Sequence, residues 1–514
     1  MTGTVQQVVI VGGGTAGWLA ACLLAARAAG ISVTLVESPD VPTIGVGEGT
    51  WPTMRGTLQS IGIAEAEFLL ACDASFKQGT RFDGWRNGAA DDIYHHPFTG
   101  PPPGAARDIV AAWSGHAPER PFAEAVGPQL RACAQGLAPR QRTMPPYAGA
   151  LNYAYHLDAA NFAALLARHG TTRLGVRHVR DHVTGVDQAP DGDIAAVRTR
   201  ASGAVAGDLF IDCTGHAALL IGEACGVPLR DRTDVLFNDA ALAVQAPVEP
   251  GSAIASQTIS TAHGAGWIWD IGLPGRRGIG CVYSSAFASQ DKAADTLRAY
   301  LRAKLPGGGE HLSFRHLSFR SAHREQFWRG NCLAIGQSAG FLEPLEASAI
   351  VMAELSVGAL IDNFPVTREV MDLHARRFND LFRYRWDRIV EFLKLHYLLS
   401  ARTEPYWRAH REAASVPDRL ADLLRIWRHQ PPSPADFPMA EEVFPAASYQ
   451  YILYGMGFLP PLDGPIASTG HDQALAALQQ AVRRGDALSA ALPTNRAYLD
   501  ALKDGLNAKL ETCT

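Results

Sequence analysis

A glycine-rich turn between an apolar strand and an Ala/Leu-rich helix constrains this chain more than any other feature. The segment "VVIVGGGTAGW" supplies Gly12, Gly14 and Gly17 in GxGxxG spacing, with the strand before it and the helix after it that a dinucleotide-binding turn requires. Gly12 permits the tight turn, Gly14 lets a pyrophosphate approach the backbone, and Gly17 lets the helix pack closely on the strand. The helix N-terminus, at Thr15 and Ala16, offers free N–H groups to the phosphates. A glycine-rich turn without a ligand is the alternative.

The turn belongs to a β-α-β unit. Residues 5–12 read as a continuous apolar strand, 15–29 as a helix and 32–37 as a second strand. Glu37 closes that second strand, twenty residues after Gly17, where an acid accepts hydrogen bonds from ribose hydroxyls. The motif alone does not separate NAD from FAD.

Two later strand-turn segments favour FAD. "LFIDCTGHAALL" places Asp212 and Gly215 after a strand, as in flavoproteins whose second strand returns to the same nucleotide. "CLAIGQSAGFLEPLEASAI" is a third strand-turn-helix pattern, and it carries Gln337 where many flavoproteins carry an acid after the glycine. Further cofactor contacts are predicted at Gly47, Val183 and Ile350.

The rest of the chain extends this α/β pattern. Strands are predicted within 172–213 and 235–285, and residues 331–336 form a strand that runs into a helix beginning near Pro344. Prolines and glycines from 97 to 127 argue against long regular elements there. Beyond 367 the pattern is helical. We therefore predict an α/β fold with a dinucleotide-binding box and a mixed sheet in 1–365, and a mainly helical subdomain in 366–514.

Composition excludes several function classes. Hydrophobic residues make up 47% and charged residues 19%, and acidic residues outnumber basic ones, 51 to 46, so nucleic acid and anionic membrane are poor partners. The eight cysteines are scattered, with no CxxC and no spacing that suits zinc, so we predict no metal site. Reduced thiols, the lack of a signal pattern and the lack of a long apolar run predict a cytoplasmic protein.

Taken together, these segments resemble the flavin-dependent halogenases of the tryptophan halogenase family over nearly the whole chain. The segments that carry the resemblance are "GGGTAGW", "IGVGEGTWP", "FKQGTRF", "HPF", "AYHLDAANFA", "IDCTG", "GWIWDIGLPGRRGIGCVYSS", "GNCLAIGQSAGFLEPLEASAI" and "LHYLLSARTEPYW". The family's WxWxIP signature aligns with Trp267, Trp269 and Ile271, while Gly272 replaces its proline.

The resemblance implies a fold, a cofactor and a reaction. An FAD-binding box of the two-dinucleotide-domain type would be covered by a helical pyramid on the substrate side. Reduced FAD, supplied by a separate NAD(P)H-dependent flavin reductase, O2 and chloride or bromide would yield hypohalous acid. That acid would pass through a tunnel to a small electron-rich aromatic substrate, preferably indole or a derivative such as tryptophan.

Two residues match the family's catalytic pair. Lys77 in "FKQGTRF" would hold hypohalous acid by a hydrogen bond or as a haloamine, since a desolvated lysine can become nucleophilic. The alternative is that Lys77 is a solvated surface lysine without a catalytic role. Glu346 would polarise the electrophile or take the ring proton. The alternative is a structural role, as an acid that the helix dipole stabilises in the first turn of a helix after Pro344. We assign Glu343 a structural role.

Other matches locate the halide, the strap, the substrate and the tunnel. Backbone N–H groups of Ser348 and Ala349 correspond to halide ligands, although the family's frequent Ser-Thr pair reads Ala347-Ser348 here. "GVGEGTWP", residues 45–52, corresponds to a mobile strap between flavin and substrate. The substrate ring would lie between His96 and Phe98, and Trp267 and Trp269 would wall the tunnel. For both tryptophans, core packing is the alternative.

Two other functions remain open. A flavin monooxygenase would hydroxylate its substrate directly and consume NADH without an added reductase. A non-catalytic flavoprotein would bind FAD alone, with no reason to keep Lys77 and Glu346. The sequence leaves open the exact substrate, the ring position, the halide preference and the oligomeric state. It is compatible with a homodimer.

Overall fold

The computed structural model describes residues 3–41, 45, 47–460 and 470–511, with the backbone alone for 506–511. The described residues fall into two compact units. The first takes its residues from Met1–Ala74, Leu157–Arg232 and Arg320–Asp387, and the second from Ser75–His156, Thr233–Phe319 and Arg388–Thr514. The predicted division at 365/366 therefore does not coincide with these units, because segments far apart in the sequence pair within the same sheets.

A largely parallel sheet forms the centre of the first unit. Its strand order is Trp328–Arg329, Cys332–Ala334, Leu209–Asp212, Gln7–Val11, Ser32–Glu37 and Arg177–Arg180. All pairs are parallel except the one at the Trp328–Arg329 edge. The central strand is Gln7–Val11, whose Val8, Val9 and Ile10 are at most 1% exposed, as expected for a β-branched run covered on both faces.

Helices and two small antiparallel sheets complete the first unit. The helices are Thr15–Arg27, Thr53–Ser60, Glu65–Ala71, Ala159–Arg173 and Ser348–Asp362. One small sheet has the order Ala204–Ala206, Ile194–Thr199, Val183–Gln188, and the other Leu229–Asp231, Ala322–Arg324, Gly340–Phe341. A short strand, Glu48–Gly49, precedes helix Thr53–Ser60. The predicted β-α-β unit is confirmed, with its second strand at the predicted bounds.

A mixed sheet organises the second unit. Its strand order is Arg315–Ser318, Ala240–Pro247, Arg276–Tyr283, Gly266–Gly272, Thr258–His263, Gly79–Asp83 and Ile93–Pro97. Only the pair of Thr258–His263 with Gly79–Asp83 is parallel among these strands. Helix Gln290–Lys304 buries Ala293, Leu297 and Leu301 in a core with Ile268 and Ile279. A separate ladder pairs Ser75–Lys77 antiparallel with Ala154–Leu157.

Helices dominate the C-terminal part of the chain, as predicted. The second unit contains helices Ala106–His116, Phe122–Ala125, Gln129–Ala134, Gln290–Lys304, Pro405–Ala409, Asp418–Trp427, Ala446–Gly455, His471–Ala491 and Asn495–Glu511. Helix Arg368–Leu398 contributes residues to both units. The α/β fold class predicted from the sequence is confirmed. Within the described ranges, no helix is both long enough and apolar enough to cross a membrane.

Helix Ala106–His116 corrects one prediction. The prolines and glycines of 97–127 do not prevent a long element, because they flank the helical stretch instead of interrupting most of it. Ile109, Val110, Ala112 and Trp113 are buried along one face of this helix. Such i, i+1, i+3, i+4 spacing is the helical signal that the density of turn residues concealed.

Candidate functional site

A cavity of about 530 Å³ lies in the first unit, at the carboxyl ends of its parallel strands. This volume is within the usual range for ligand sites, and the position is where open α/β sheets bind ligands. The lining includes most of the residues predicted to contact cofactor or halide: Gly12, Gly14, Thr15, Ala16, Glu37, Val183, Gly215, Gln337, Ser348, Ala349 and Ile350. Residues from five distant parts of the sequence thus converge on one site.

The glycines of the first turn are required by close backbone contacts. Gly12 has φ of 116°, and a Cβ there would lie 2.1 Å from the carbonyl oxygen of Cys213. A Cβ at Gly17 would lie 1.9 Å from the carbonyl oxygen of Gly12. Gly14 differs, because a Cβ there would meet no atom of the described residues within 4 Å. Gly14 lines the cavity, so its missing side chain leaves space for a ligand instead of for the protein.

Alanine substitutions should separate these roles. We expect Gly14→Ala to leave the thermal midpoint of the apoprotein near that of the wild type but to weaken FAD binding at least about 10-fold, because its methyl group occupies space needed by a pyrophosphate. Gly12→Ala should instead destabilise the fold by more than about 3 kcal/mol. Flavin fluorescence titration and thermal unfolding measure the two effects. Wild-type FAD affinity in Gly14→Ala would contradict this assignment.

Three predicted cofactor residues, Gly17, Gly47 and Asp212, lie outside the cavity lining. The Asp212 carboxylate accepts hydrogen bonds from the backbone N–H groups of Thr214, Leu220 and Ile221 at 2.8–2.9 Å. It therefore shapes the turn that presents Gly215 to the cavity. Gly47 has φ of 94°. As direct cofactor contacts, these three residues stay predictions.

The sequence reasoning did not single out Glu48, which also lines the cavity. Burial, and then the negative charge of Asp158, raise the pKa of Glu48 to about 7. Asp158 is fixed nearby as the N-cap of helix Ala159–Arg173, where it accepts a hydrogen bond from the Asn161 N–H at 3.0 Å. Glu48 lies within the strap residues 45–52, of which Val46 lies outside the described residues. An acid between the strap glycines was the available signal.

The raised pKa of Glu48 predicts a pH dependence of stability. The folded pKa of Glu48, about 7, exceeds the value of 4.5 for an unperturbed glutamate. The contribution of Glu48 to the free energy of unfolding is therefore greatest below about pH 4.5 and is lost as pH rises through 7. In the apoprotein, we expect the free energy of unfolding of Glu48→Gln, relative to that of wild type, to be about 2 kcal/mol higher at about pH 8 than at about pH 5. This figure allows for the partial exposure of Glu48 to the cavity. Urea unfolding at both pH values checks this. A pH-independent difference would contradict it.

Helix Ser348–Asp362 begins at the cavity. Its N-cap, Ala347, has φ of 54°, and among the described residues no side chain caps this end of the helix. Ser348 and Ala349 both line the cavity, so the predicted halide donors lie where a positive helix end can attract an anion. The helix starts four residues after Pro344, and Pro344 and Ala347 instead close a turn. The prediction of a helix start near Pro344 is therefore wrong.

Glu346 lies in the turn before that helix and is 5% exposed. It therefore lies one residue before the N-cap and not in the first turn of the helix. The Nε1–H of Trp51, in the strap, donates to the Glu346 carbonyl oxygen at 2.8 Å. Glu343 is also fully buried, so burial alone does not distinguish these two acids. The bond from Trp51 reaches the backbone of Glu346, so it does not distinguish the two side chains, and the catalytic role of Glu346 stays a prediction.

Lys77 belongs to the second unit and is 1% exposed, so it is not a solvated surface lysine. It lies opposite Ala154 in the ladder with strand Ala154–Leu157, and its Nζ is 5.5 Å from the ring centroid of Phe98. Burial, and then the positive charge of Lys77, lower the pKa of His156 well below its usual value. The His156 Nε2 is 2.8 Å from the Thr258 hydroxyl. Lys77 thus adjoins a neutral imidazole and an aromatic face.

His96 and Phe98 lie at one end of the mixed sheet. His96 is buried, and its Nε2 is 2.9 Å from the Ser448 hydroxyl. Its ring packs 5.6 Å from that of Phe392 and 6.2 Å from that of Tyr451, measured between centroids. Phe98 is partly exposed and faces the Lys77 ammonium. The second unit therefore brings together the predicted lysine and one of the two predicted substrate contacts.

Trp267 and Trp269 occupy strand Gly266–Gly272 and are 1% and 5% exposed. Their rings contact each other with centroids 6.4 Å apart, and Trp267 also contacts Trp85. The Trp269 indole covers Gly280, where a Cβ would lie 2.2 Å from the ring. These contacts agree with core packing for both rings. Their role as tunnel walls stays a prediction.

Comparison with known proteins identifies the family. The model of the tryptophan halogenase family matches residues 7–471. The chain belongs to the tryptophan halogenase family. A tryptophan 6-halogenase of Streptomyces toxytricini is 34% identical over 97% of this chain and 98% of that protein. The crystal structure of a tryptophan halogenase from Shewanella frigidimarina superimposes with a TM-score of 0.94, at 46% identity over 97% of this chain and 98% of that one. The structure of a flavin-dependent halogenase from Xanthomonas campestris superimposes with a TM-score of 0.86, at 33% identity over 97% of this chain and 99% of that one.

Membership of the tryptophan halogenase family confirms the resemblance and the enzyme class predicted from the sequence. It also confirms the fold, since these solved structures cover nearly the whole chain. The residue assignments are a separate matter, because similarity of the whole chain does not assign a role to any single side chain.

Proposed function

We propose that this protein is an FADH2-dependent halogenase that uses O2 and chloride or bromide to halogenate an electron-rich aromatic compound, probed first with indole and tryptophan. The observation that carries the proposal is that one cavity joins the GxGxxG turn to the start of helix Ser348–Asp362. A dinucleotide site and an anion site then share one space.

The residues of the cavity fit FAD. The open space at Gly14 admits a pyrophosphate, and the N–H groups at Thr15 and Ala16 face it from a helix N-terminus. Glu37 lines the cavity and accepts a hydrogen bond from the His178 Nε2–H at 2.8 Å, which fixes its carboxylate for ribose hydroxyls. When bound, reduced FAD would supply two electrons to O2 and the halide would supply the other two, which gives hypohalous acid and water. A separate flavin reductase provides it in reduced form.

The protein's own groups hold the ions and move the proton. Backbone N–H groups of Ser348 and Ala349 bind the halide, since their helix carries a positive N-terminus. The Lys77 ammonium donates a hydrogen bond to hypohalous acid, and its buried position strengthens that bond. In the substitution, the ring carbon forms a bond to the halogen as the halogen–oxygen bond of hypohalous acid breaks and hydroxide leaves. The ring proton passes to the Glu346 carboxylate and, once released from it, converts the hydroxide to water. His96 and Phe98 orient the ring.

Product analysis tests the proposal. The protein is incubated with FAD, a flavin reductase, NADH and chloride or bromide, with indole, tryptophan or a phenol as substrate, and products are identified by mass spectrometry. We expect a halogenated product that requires halide and reductase. A hydroxylated product formed without halide would favour the monooxygenase, and flavin binding with no product from any substrate would favour the non-catalytic flavoprotein. Either result would overturn the proposal.

A further inference from the structure

Helix Ser348–Asp362 is apolar along most of its length but carries one buried carboxylate, Glu354. This side chain is 6% exposed. The Thr57 hydroxyl donates to its Oε1 at 2.5 Å and the Thr53 hydroxyl to its Oε2 at 3.1 Å. Thr53 and Thr57 are four residues apart on helix Thr53–Ser60, so they share one face. Each carboxylate oxygen therefore binds one turn of the neighbouring helix.

The helix that carries Glu354 also forms a wall of the cofactor cavity. Ser348, Ala349, Ile350, Met352, Ala353 and Ser356 line that cavity. Apart from Ile350 in the first turn, their spacing places them along one helical face, and Glu354 follows Ala353 by about 100° around the axis. A movement of this helix that breaks the Glu354 contacts would also shift the cavity wall and the halide donors at its N-terminus.

The strap is tied to the same segment at a second point. Helix Thr53–Ser60 follows strap residues 45–52 directly, and the strap's Trp51 donates to the Glu346 carbonyl oxygen at 2.8 Å. Glu48, earlier in the strap, lines the cavity. The chain from Glu48 to Thr57 is thus attached to residues 346–354 at the backbone of Glu346 and at the carboxylate of Glu354.

Stability alone does not account for a carboxylate at this position. Burial raises the pKa of Glu354 to about 7, although the hydroxyls of Thr57 and Thr53 act in the opposite direction. Burying such a group costs desolvation that an apolar residue of similar size avoids. The threonine contacts therefore give a defined arrangement of two helices at the expense of stability.

We propose that Glu354, held by Thr53 and Thr57, is a positioning residue that sets the N-terminus of helix Ser348–Asp362 against the strap and so fixes the halide donors and the cofactor wall. The predicted effect on the halide donors rests on the proposed function. The predicted effect on FAD affinity requires only that the cavity binds FAD.

Three variants and one control test this. Glu354→Leu removes both hydrogen bonds and keeps a helix-forming side chain of similar size. Thr57→Val removes one hydroxyl without changing the shape, while Thr57→Ser keeps the hydroxyl and serves as the conservative rescue. Glu369→Gln neutralises an exposed glutamate in the same unit and controls for loss of charge. Thermal unfolding, FAD affinity by flavin fluorescence, and bromide KM and kcat for indole bromination are measured for each.

We expect Glu354→Leu to raise the bromide KM about 5-fold and the FAD Kd about 3-fold, with kcat at saturating bromide within about 2-fold and an unchanged or higher thermal midpoint. Thr57→Val should shift both constants in the same direction, and the double variant should add little to Glu354→Leu. Thr57→Ser and Glu369→Gln should match wild type. If Glu354 had a merely structural role, the bromide KM and the FAD Kd would change only in variants whose thermal midpoint falls.

The outcomes separate the two proposals. Wild-type bromide KM and FAD Kd in a folded Glu354→Leu variant would overturn the positioning role while leaving the halogenase intact. If wild type forms no brominated product, the proposed function fails, and the FAD Kd alone decides. A weaker FAD affinity in Glu354→Leu and Thr57→Val, but not in Thr57→Ser, would then support the positioning role; unchanged affinity in all of them would refute it.

Discussion

Replacing Lys77 with methionine should lower the rate of halogenated product by about 10³-fold while FAD affinity stays at the wild-type value. The physical reason is that the buried ammonium is the donor we assign to hypohalous acid, and methionine fills the same volume without a donor. Lys77 is 1% exposed beside Phe98, so methionine also removes a buried charge without opening a cavity. Mass spectrometry of the indole reaction gives the rate, and flavin fluorescence gives the affinity.

A second readout checks the geometry of Lys77 without activity. Because its positive charge helps lower the pKa of His156, Lys77→Met should move that pKa upward, as followed by NMR of the imidazole. Lys292→Met, at an exposed lysine of helix Gln290–Lys304, is the matched control and should match wild type. Halogenation within about 10-fold of wild type in a folded Lys77→Met protein would remove Lys77 from the mechanism.

Replacing Glu346 with glutamine should lower the rate of aromatic halogenation about 100-fold, since it removes the base that takes the ring proton. FAD affinity should not change, because Glu346 lies outside the cavity lining. The backbone bond from Trp51 to the Glu346 carbonyl survives the substitution, so the strap contact persists. Product formation from indole and flavin fluorescence give the two values.

Glu343 provides the contrast for this prediction. It is buried, as Glu346 is, but we assign it a structural role. We expect Glu343→Gln to change the thermal midpoint more than the rate of the folded protein, whereas Glu346→Gln should do the reverse. If the two variants lose activity equally while retaining FAD and wild-type stability, the assignment of Glu346 as the base is wrong.

The cofactor turn could be predicted from sequence because its constraints are local. Gly17 is required by its contact with the Gly12 carbonyl within one strand-turn-helix unit, so the glycine spacing reports that part of the shape, whereas the Cys213 carbonyl that requires Gly12 comes from a distant strand. The second strand, Ser32–Glu37, ends where the pattern indicates for the same reason. The start of helix Ser348–Asp362 was misplaced because proline commonly opens helices, while here Ala347 with positive φ delays the start.

Long-range contacts explain what sequence reasoning missed. Glu354 meets Thr53 and Thr57 across about 300 residues of chain, and no periodic pattern reports such a pair. Glu48 acquires its raised pKa from burial and from Asp158, which are properties of the folded site.

Diffraction at the bromine absorption edge, from crystals grown with FAD and bromide, tests the central claim most directly. The account predicts flavin density in the cavity lined by Gly12, Gly14 and Glu37, and an anomalous peak within hydrogen-bond distance of the N–H groups of Ser348 and Ala349. Flavin bound outside this cavity, or bromide sites that never include the start of helix Ser348–Asp362, would contradict it.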